Sequence, residues 1–363
     1  VWFEAAEATL TVGEVQAMPA LAGSDPEALA GAVYESDNPE VLTVAYSEES
    51  ARWELTGVAP GTACLTAAVL ETTARLKVTV LPAVPEATTP TYRLFAAYGY
   101  YNPDYRGYIP FTENNAKSLA STFENSSISG LTYATKVMGN PTKTSLLSGI
   151  SSFFAGTTDA DVSIVYLCSH GHMTNGYAGY RMSLPGYDDS PTNANYYMSA
   201  QEIFNCVSRI RGSVVLIVDS CYSGAFLQDM TGQLEAQGGR IAVMTAASDT
   251  RATYYNVKNT AKSVDFFTFF LLKGLGYNHR DKWWNSNAAG KKGAYPGYLA
   301  ADQAGNKDGI VTLGEFYEYA SQSIAANIPN YMKKSWYWGD KTRVQVPRFY
   351  AGNLADLVIY QPR

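Results

Sequence analysis

The sequence predicts a mostly parallel α/β sheet with helices on both faces, preceded by a small all-β sandwich. Three observations lead there. From Tyr92 onward, apolar strand runs alternate with segments whose apolar residues fall at helical spacing, the pattern of parallel strands joined by crossover helices. VSIVYLC (Val162–Cys168) and SVVLIVD (Ser213–Asp219) are almost continuous in apolar residues, as strands covered on both faces are. Before residue 82, short runs instead alternate apolar and polar residues between turn signals.

In the first segment, 1–82, the strand candidates are Leu10–Val12, Val41–Tyr46, Arg52–Val58, Ala63–Val69 and Leu76–Leu81, with Asn38-Pro39 and Pro60-Gly61 as turns. This is sandwich spacing. The wording LTVGE, ESDNPEVLTV, LTGVAPGTACLTA and LKVTV resembles the bacterial Ig-like group 2 domain over nearly the whole segment. A Pro- and Thr-rich stretch follows, and residues 83–91 read as an extended linker.

The second domain runs from 92 to 363. Arg93–Tyr100 is its first strand. Ala116, Leu119, Ala120 and Phe123 mark a helix with Thr112 as its cap. Leu131–Val137 is a strand, and Leu146, Ile150, Phe153 and Phe154 mark a second helix. After Val162–Cys168, Ser199 and Glu202 have capping-box spacing ahead of Ile203, Val207 and Ile210. Ser213–Asp219 and Arg240–Ala246 are strands, Ser263–Gly276 is a strongly apolar helix, and Asp356–Tyr360 is the candidate sixth strand.

Composition narrows the function. The net charge of −6 argues against a nucleic-acid or anionic-membrane partner. No apolar run reaches the roughly 18 residues of a membrane span. The opening VWFEAAEATLTVGE has no basic segment followed by an apolar run, so any leader is expected to be already removed. Cys64, Cys168, Cys206 and Cys221 lack CxxC spacing, which excludes a zinc ribbon and a dense disulfide framework. Cys64, Cys168 and Cys206 are expected to be free and buried.

Open α/β sheets react at the carboxyl ends of their strands, and two of those ends are chemically loaded here. Val162–Cys168 runs into S-H-G-H, placing His170 just beyond it, and Ser213–Asp219 runs into S-C-Y-S-G, placing Cys221 beyond it. On neighbouring strands, about 4.8 Å apart, an imidazole and a thiol face one cleft. A free thiol has a pKa of about 8.5 and needs a base to attack a carbonyl at neutral pH. The oxyanion that develops needs backbone donors, for which Gly171 and the Cys221 amide are the candidates. Singly, each side chain reads as an ordinary buried or surface residue. Together at consecutive strand ends they read as a dyad.

SIVYLCSHGH followed by VVLIVDSCYSGAF resembles the caspase-like cysteine peptidases, the group with caspases, metacaspases, legumain, gingipains and clostripain. The resemblance runs from Tyr92 to the C-terminus and implies a caspase-like sheet and hydrolysis of protein or peptide substrates. In that family the catalytic His precedes a Gly, which selects His170 over His172. His172 then reads as structural and His279 as surface. The residue two before the nucleophile lines the specificity pocket there, which implies Asp219. Clostripain-like members add an acid after the next strand, here Asp249, with Ser248 beside it. Two acids imply cleavage after Arg or Lys. The plainer readings are a helix cap for Asp219 and a turn for Asp249. Legumain- or caspase-like cleavage after Asn or Asp is the alternative, with Arg251 as the nearby cation. A catalytically dead cell-surface binding protein is the rival from another class. No cofactor is required, and Ig-like modules of this type imply a secreted or cell-surface bacterial protein.

Two segments stand apart. Ala304–Glu315 resembles an EF-hand loop, with Asn306, Asp308, Thr312 and Glu315 at positions three, five, nine and twelve and Gly309 at six. This raises calcium as a ligand, although Ala304 holds the first position and Asp302 comes two residues early. The plainer reading is a turn into a helix. The long aromatic segment His279–Tyr298 carries Lys291 and Lys292, which suit self-cleavage by an enzyme preferring basic residues.

Overall fold

The computed structural model describes the chain except residues 49, 83–88, 105–106, 174–178, 186–193, 254–263, 277–298 and 335–344, and the side chains of 329–334. The chain divides into two compact units, Val1–Thr88 and Thr89–Arg363. The segment His279–Tyr298, with Lys291 and Lys292, lies outside the described residues. No described helix is long and apolar enough to cross a membrane.

In the first unit a four-stranded sheet runs in the order Glu7–Thr11, Thr72–Leu81, Gly61–Val69, Val33–Ser36, and a three-stranded sheet in the order Val15–Ala17, Arg52–Gly57, Leu42–Ser47. Alternate residues of both sheets, among them Leu10, Leu42, Leu55, Leu65, Leu76 and Val78, meet in one apolar core. The short strands Val15–Ala17 and Val33–Ser36 have too few apolar residues to be visible as a pattern.

The second unit is built on a six-stranded sheet. Its strands are β1 (Tyr92–Tyr98), β2 (Tyr133–Gly139), β3 (Val162–Cys168), β4 (Ser213–Asp219), β5 (Ile241–Thr245) and β6 (Arg348–Tyr350). The spatial order is β2-β1-β3-β4-β5-β6, with only β6 antiparallel. The chain leaves β1 for β2 on one side and returns to β3 on the other. This reversal makes the carboxyl ends beside β1 and β3 the natural crevice.

Helices cover both faces. On one lie α1 (Thr112–Phe123), α5 (Phe266–Gly274), α6 (Ala300–Ala304) and α7 (Leu313–Lys334), and on the other α2 (Lys143–Phe153), α3 (Ala200–Val207) and α4 (Gly224–Glu235). Along β4, Val215 and Ile217 point to the first face and Val214, Leu216 and Val218 to the second, the period of two expected of a strand. Helix α5 is apolar on nearly every side, only Thr268 and Lys273 being polar, and Phe266, Phe267, Phe269 and Phe270 are each no more than 1% exposed. A helix of that kind has to be buried, and each such side chain contributes roughly 1.5–3 kcal/mol of burial.

Three expectations are corrected. The sixth strand is Arg348–Tyr350, whereas Val358–Tyr360 pairs with Val311–Thr312 in a separate two-stranded sheet. The apolar run near residue 358 marked burial in the core, where Tyr360 packs on Phe123 and the Ile359 carbonyl accepts from Tyr133, rather than membership of the main sheet. Thr112 does not cap α1. The cap position is Phe111, and the Thr112 hydroxyl donates instead to the Gly99 carbonyl at 2.9 Å. Of the three thiols expected to be buried, only Cys168 is, while Cys64 and Cys206 are half-buried, and all are free. The Ser199–Glu202 capping box opens α3 as expected.

Candidate functional site at the carboxyl ends of β3 and β4

Strands β3 and β4 are direct parallel neighbours, and Cys168 stands opposite Asp219 at their ends. His170 and Cys221 therefore each lie two residues beyond a matched pair. The two loops touch. A Cβ added at Gly171 would collide with the Cys221 carbonyl oxygen and come within 2.5 Å of Ser220 Oγ. Only glycine permits that approach.

His170 is half-buried. Its Nε2 lies 2.6 Å from the Gly107 carbonyl oxygen. A carbonyl only accepts, so Nε2 carries the hydrogen of the neutral ring and Nδ1 carries the lone pair. Tyr100 packs edge-on against the imidazole, with ring centroids 4.8 Å apart. Burial lowers the His170 pKa from its usual value, partly offset by the bond to Gly107. The His172 ring lies 6.2 Å from that of His170.

Gly171 opens the short strand Gly171–His172, which pairs with Arg181–Ser183. The Ser183 amide donates to the His170 carbonyl at 2.9 Å, which makes residues 170 and 183 a hydrogen-bonded pair. Antiparallel alternation then turns the Gly171 N–H away from its partner strand.

Cys221 is half-buried, with Sγ 3.6 Å from Thr253 Oγ1. No described residue accepts a hydrogen bond from its amide. Tyr222 has a left-handed φ of 57°, a conformation that costs a non-glycine residue of order 1–3 kcal/mol and clusters at functional sites. It is held there by its amide, which donates to the Arg251 carbonyl at 2.8 Å. Helix α4 begins at Gly224, three residues after the thiol, and no side chain caps its N-terminus.

The resemblance to caspase-like peptidases implies a place for Asp219 in a pocket wall. In the structure its carboxyl is only 2% exposed and continues the row Val215–Ile217 toward α1 and α5. Oδ2 accepts from Tyr166 Oη at 2.7 Å, Thr268 Oγ1 at 2.8 Å and Asn115 Nδ2 at 3.4 Å. Nor does it cap α4, whose cap position is Ser223. Asp249 is half-buried in the turn Ser248–Arg251, where the Arg251 amide donates to the Ser248 carbonyl. That turn lies against the start of α4, since a Cβ on Gly224 would come within 2.7 Å of the Asp249 nitrogen. Ser248 is buried, its hydroxyl 3.4 Å from that of Thr250.

Cys168 and Cys206 are poor nucleophiles. Burial and the neighbouring carboxylates of Asp219 and Asp265 push the Cys168 thiol well up, and burial pushes Cys206 up to about 11. Cys206 lines a cavity of about 520 Å³ with Leu147, Phe154 and Ile210. That cavity lies before the amino ends of β3 and β4, at the opposite edge of the sheet from His170 and Cys221.

The EF-hand-like loop satisfies itself. Asn306 Oδ1 accepts from the Asp308 amide and Asp308 Oδ1 from the Ile310 amide. Glu315 Oε1 accepts from the Asn306 amide, and Oε2 accepts from the Thr312 amide and hydroxyl. The Thr312 hydroxyl in turn accepts from the Glu315 amide at 3.3 Å. Thr312 and Glu315 are thus a capping box at the start of α7, which accounts for the acid at position twelve without an ion. Buried Asp302 accepts from the Gly309 amide at 3.2 Å. With alanine first and Glu315 engaged in the cap, the residues as placed do not form a calcium ligand set.

Sequence reasoning missed Gly107, Thr253, Asn115, Tyr166, Thr268 and Asp265. Gly107 acts through its backbone and left no signal. Asp265 did leave one, as an acid directly before an apolar helix. It is the N-cap of α5, accepting from the Thr268 amide at 2.7 Å.

The fold and this arrangement define an α/β protein in which the loops bearing His170 and Cys221 leave neighbouring strands and touch at the carboxyl end of a mostly parallel sheet. No model of a known family matches the sequence, and no curated protein matches it. Among solved structures, caspase-1 from Spodoptera frugiperda aligns at 8% identity with a TM-score of 0.46, covering 76% of this chain and 90% of its own. Protein GSU0716 from Geobacter sulfurreducens aligns at 11% identity with a TM-score of 0.42, covering 72% of this chain and 93% of its own. Similarity at this level assigns neither family nor activity.

Proposed function

We propose that the chain is a cysteine endopeptidase that hydrolyses peptide bonds through His170 and Cys221. The observation that carries this reading is the register. The two residues leave neighbouring parallel strands from matched positions, and their loops are in contact at Gly171 and Cys221.

The chemistry follows from the surroundings. Burial keeps His170 neutral, and the Gly107 carbonyl takes up its Nε2 hydrogen, which leaves Nδ1 as the base. Cys221 Sγ gives its proton to Nδ1 and attacks the substrate carbonyl carbon. The N-terminus of α4 favours the negative sulfur before attack. The oxyanion then accepts from the amides of Cys221 and Gly171. His170 returns the proton to the leaving amine, the C–N bond breaks, and water hydrolyses the thioester by the same steps in reverse. Left-handed Tyr222 turns the chain sharply behind the nucleophile, so the thiol stands at the head of α4.

For specificity we propose cleavage after Arg or Lys. Support comes from Asp249 beside Ser248 at the carboxyl end of β5, with the buried carboxyl of Asp219 adding negative potential below the same rim. The location, secreted or cell-surface, is proposed on the Ig-like resemblance of residues 1–82.

The test uses the full chain and its Cys221→Ala variant on a positional library of fluorogenic peptides, alongside iodoacetamide labelling mapped by mass spectrometry. The expected result is turnover after Arg and Lys by the wild type, none by the variant, and labelling at Cys221 that tracks loss of turnover. Turnover that survives Cys221→Ala refutes the dyad. A wild type that neither turns over nor labels at Cys221 refutes the peptidase reading and leaves the binding scaffold as the alternative. Cleavage after Asn or Asp overturns the pocket assignment alone.

A further inference from the structure

Beneath the end of β4 lies a cluster that the peptidase chemistry does not use. Asp219 and Asp265 are 2% and 1% exposed, and an oxygen of each lies within 4.8 Å of the other's and of Cys168 Sγ. Asp265 Oδ1 accepts from the Thr268 amide and Oδ2 from Asn115 Nδ2, both at 2.7 Å. Asp219 Oδ2 takes the three donors already described. Asp219 Oδ1 is buried with no donor among the described residues, although leaving a buried carboxylate oxygen unmatched is costly.

A metal ion does not resolve this. The Asn115 carbonyl oxygen accepts from the Asp265 amide at 3.1 Å, which fixes the orientation of its amide. Its nitrogen therefore points at Cys168 Sγ and at both carboxyl groups. That nitrogen is a donor, has no lone pair to offer, and occupies the space between the three ligating atoms. The titratable groups facing the pair are Tyr166 and Cys168 of β3 and, more remotely, Tyr180. No described Lys, Arg or His acts on either carboxyl. Two carboxylates with no cation between them cannot both ionise.

We propose that Asp219 and Asp265 hold one proton between them, and that Asp265 is thereby a positioning residue for Cys221, because the shared proton ties the end of β4 to the start of α5 two residues before the thiol. A proton on Asp265 is the donor that Asp219 Oδ1 lacks. Burial raises both acids, and the charge of Asp219 raises Asp265 further, well above the carboxylate range. The shared proton stands on this geometry, whereas its bearing on catalysis rests on the peptidase reading.

Asp219→Asn is the informative variant. Its amide nitrogen takes the place of Oδ1 and donates to Asp265 at every pH, while its oxygen keeps the three donors. In the wild type, the unfolded acids ionise near pH 4 while the folded pair retains a proton. The folding constant then falls up to tenfold per pH unit, about 1.4 kcal/mol, as pH rises toward the pair's folded value. Urea unfolding from pH 5 to 8 should show this slope reduced by one proton in Asp219→Asn. Cys221 alkylation by iodoacetamide, followed over the same range and above, should show an extra inflection in the wild type that Asp219→Asn lacks. Asp265→Ala, which removes the proton carrier, should change the alkylation profile at every pH. Equal unfolding slopes in wild type and Asp219→Asn overturn the shared proton. An Asp265→Ala profile identical to wild type overturns the positioning role. If a variant fails to fold, infrared spectra of the wild type from pH 5 to 8 decide, because a shared proton shows as a protonated-carboxyl band above the pH at which ordinary carboxylic acids ionise, and no such band anywhere in that range overturns the proposal. None of these readouts uses substrate, so an inactive peptidase with the expected slopes leaves the pair standing.

Discussion

Gly171→Ala tests the contact on which the candidate site depends. The new methyl would overlap the Cys221 carbonyl oxygen and lie 2.5 Å from Ser220 Oγ and 3.0 Å from the Cys221 carbonyl carbon. Two of these three atoms are backbone, so no rotamer change relieves the overlap. With ordinary carbon contacts at about 3.5–4.0 Å, the two loops must part by about 1 Å or more. Overpacking of this kind costs about 1–3 kcal/mol, or about 5- to 160-fold in the folding constant. A misplacement of about 1 Å at a reacting pair costs about 100-fold in rate. Urea unfolding should therefore show a stability loss in that range, and peptide hydrolysis a larger proportional loss than alkylation of the thiol. Gly232→Ala is the control. It lies within α4, its added Cβ would meet nothing within 4 Å, and alanine there should stabilise by about 0.5–1 kcal/mol. If Gly171→Ala is as stable and as active as the wild type, the loops do not meet as described and the dyad loses its footing.

Burial depresses the His170 pKa, so the acid limb of the kcat/KM profile should fall below about pH 6.5, and a limb above that value would place His170 outside the reaction. The same shift has a stability sign: below about pH 6.5 the unfolded imidazole binds more protons than the folded one, so the His170 contribution to stability falls as pH drops, and His170→Gln should flatten that part of the unfolding profile. Because Glu315 serves the cap of α7, a calcium chelator should leave the melting midpoint and turnover unchanged; a rise of several degrees in millimolar calcium would show that Asp302 completes a site after all. Ser199→Ala should cost about 1 kcal/mol in urea unfolding by removing the capping box of α3.

The fold was legible wherever burial wrote a period into the sequence. The strands Val162–Cys168 and Ser213–Asp219 emerge with the bounds read from their apolar runs, because a strand covered on both faces has little freedom in composition. Arg348–Tyr350 was missed since an edge strand has one neighbour and half-exposed side chains that read as loop. The Val358–Tyr360 run misled for the opposite reason. Ile359 and Tyr360 are buried, yet burial alone does not say which sheet a strand joins.

The site divides along a similar line. The placement of His170 and Cys221 just beyond neighbouring strand ends was legible because strand ends can be counted. Gly107 was not, since what it offers is a carbonyl that every residue possesses, and only the path of the chain brings it to Nε2. Asp219 shows a further limit. Its position two before the thiol pointed to a pocket wall, but position along a strand also fixes the face, and residue 219 shares the parity of Val215 and Ile217. Parity alone would have aimed it at α1 and α5. What parity could not supply is Asp265, 46 residues further on, whose own sequence context marks it only as a helix cap. A buried acid with a single orphan oxygen becomes intelligible once the second acid is beside it, and that pairing exists only in three dimensions.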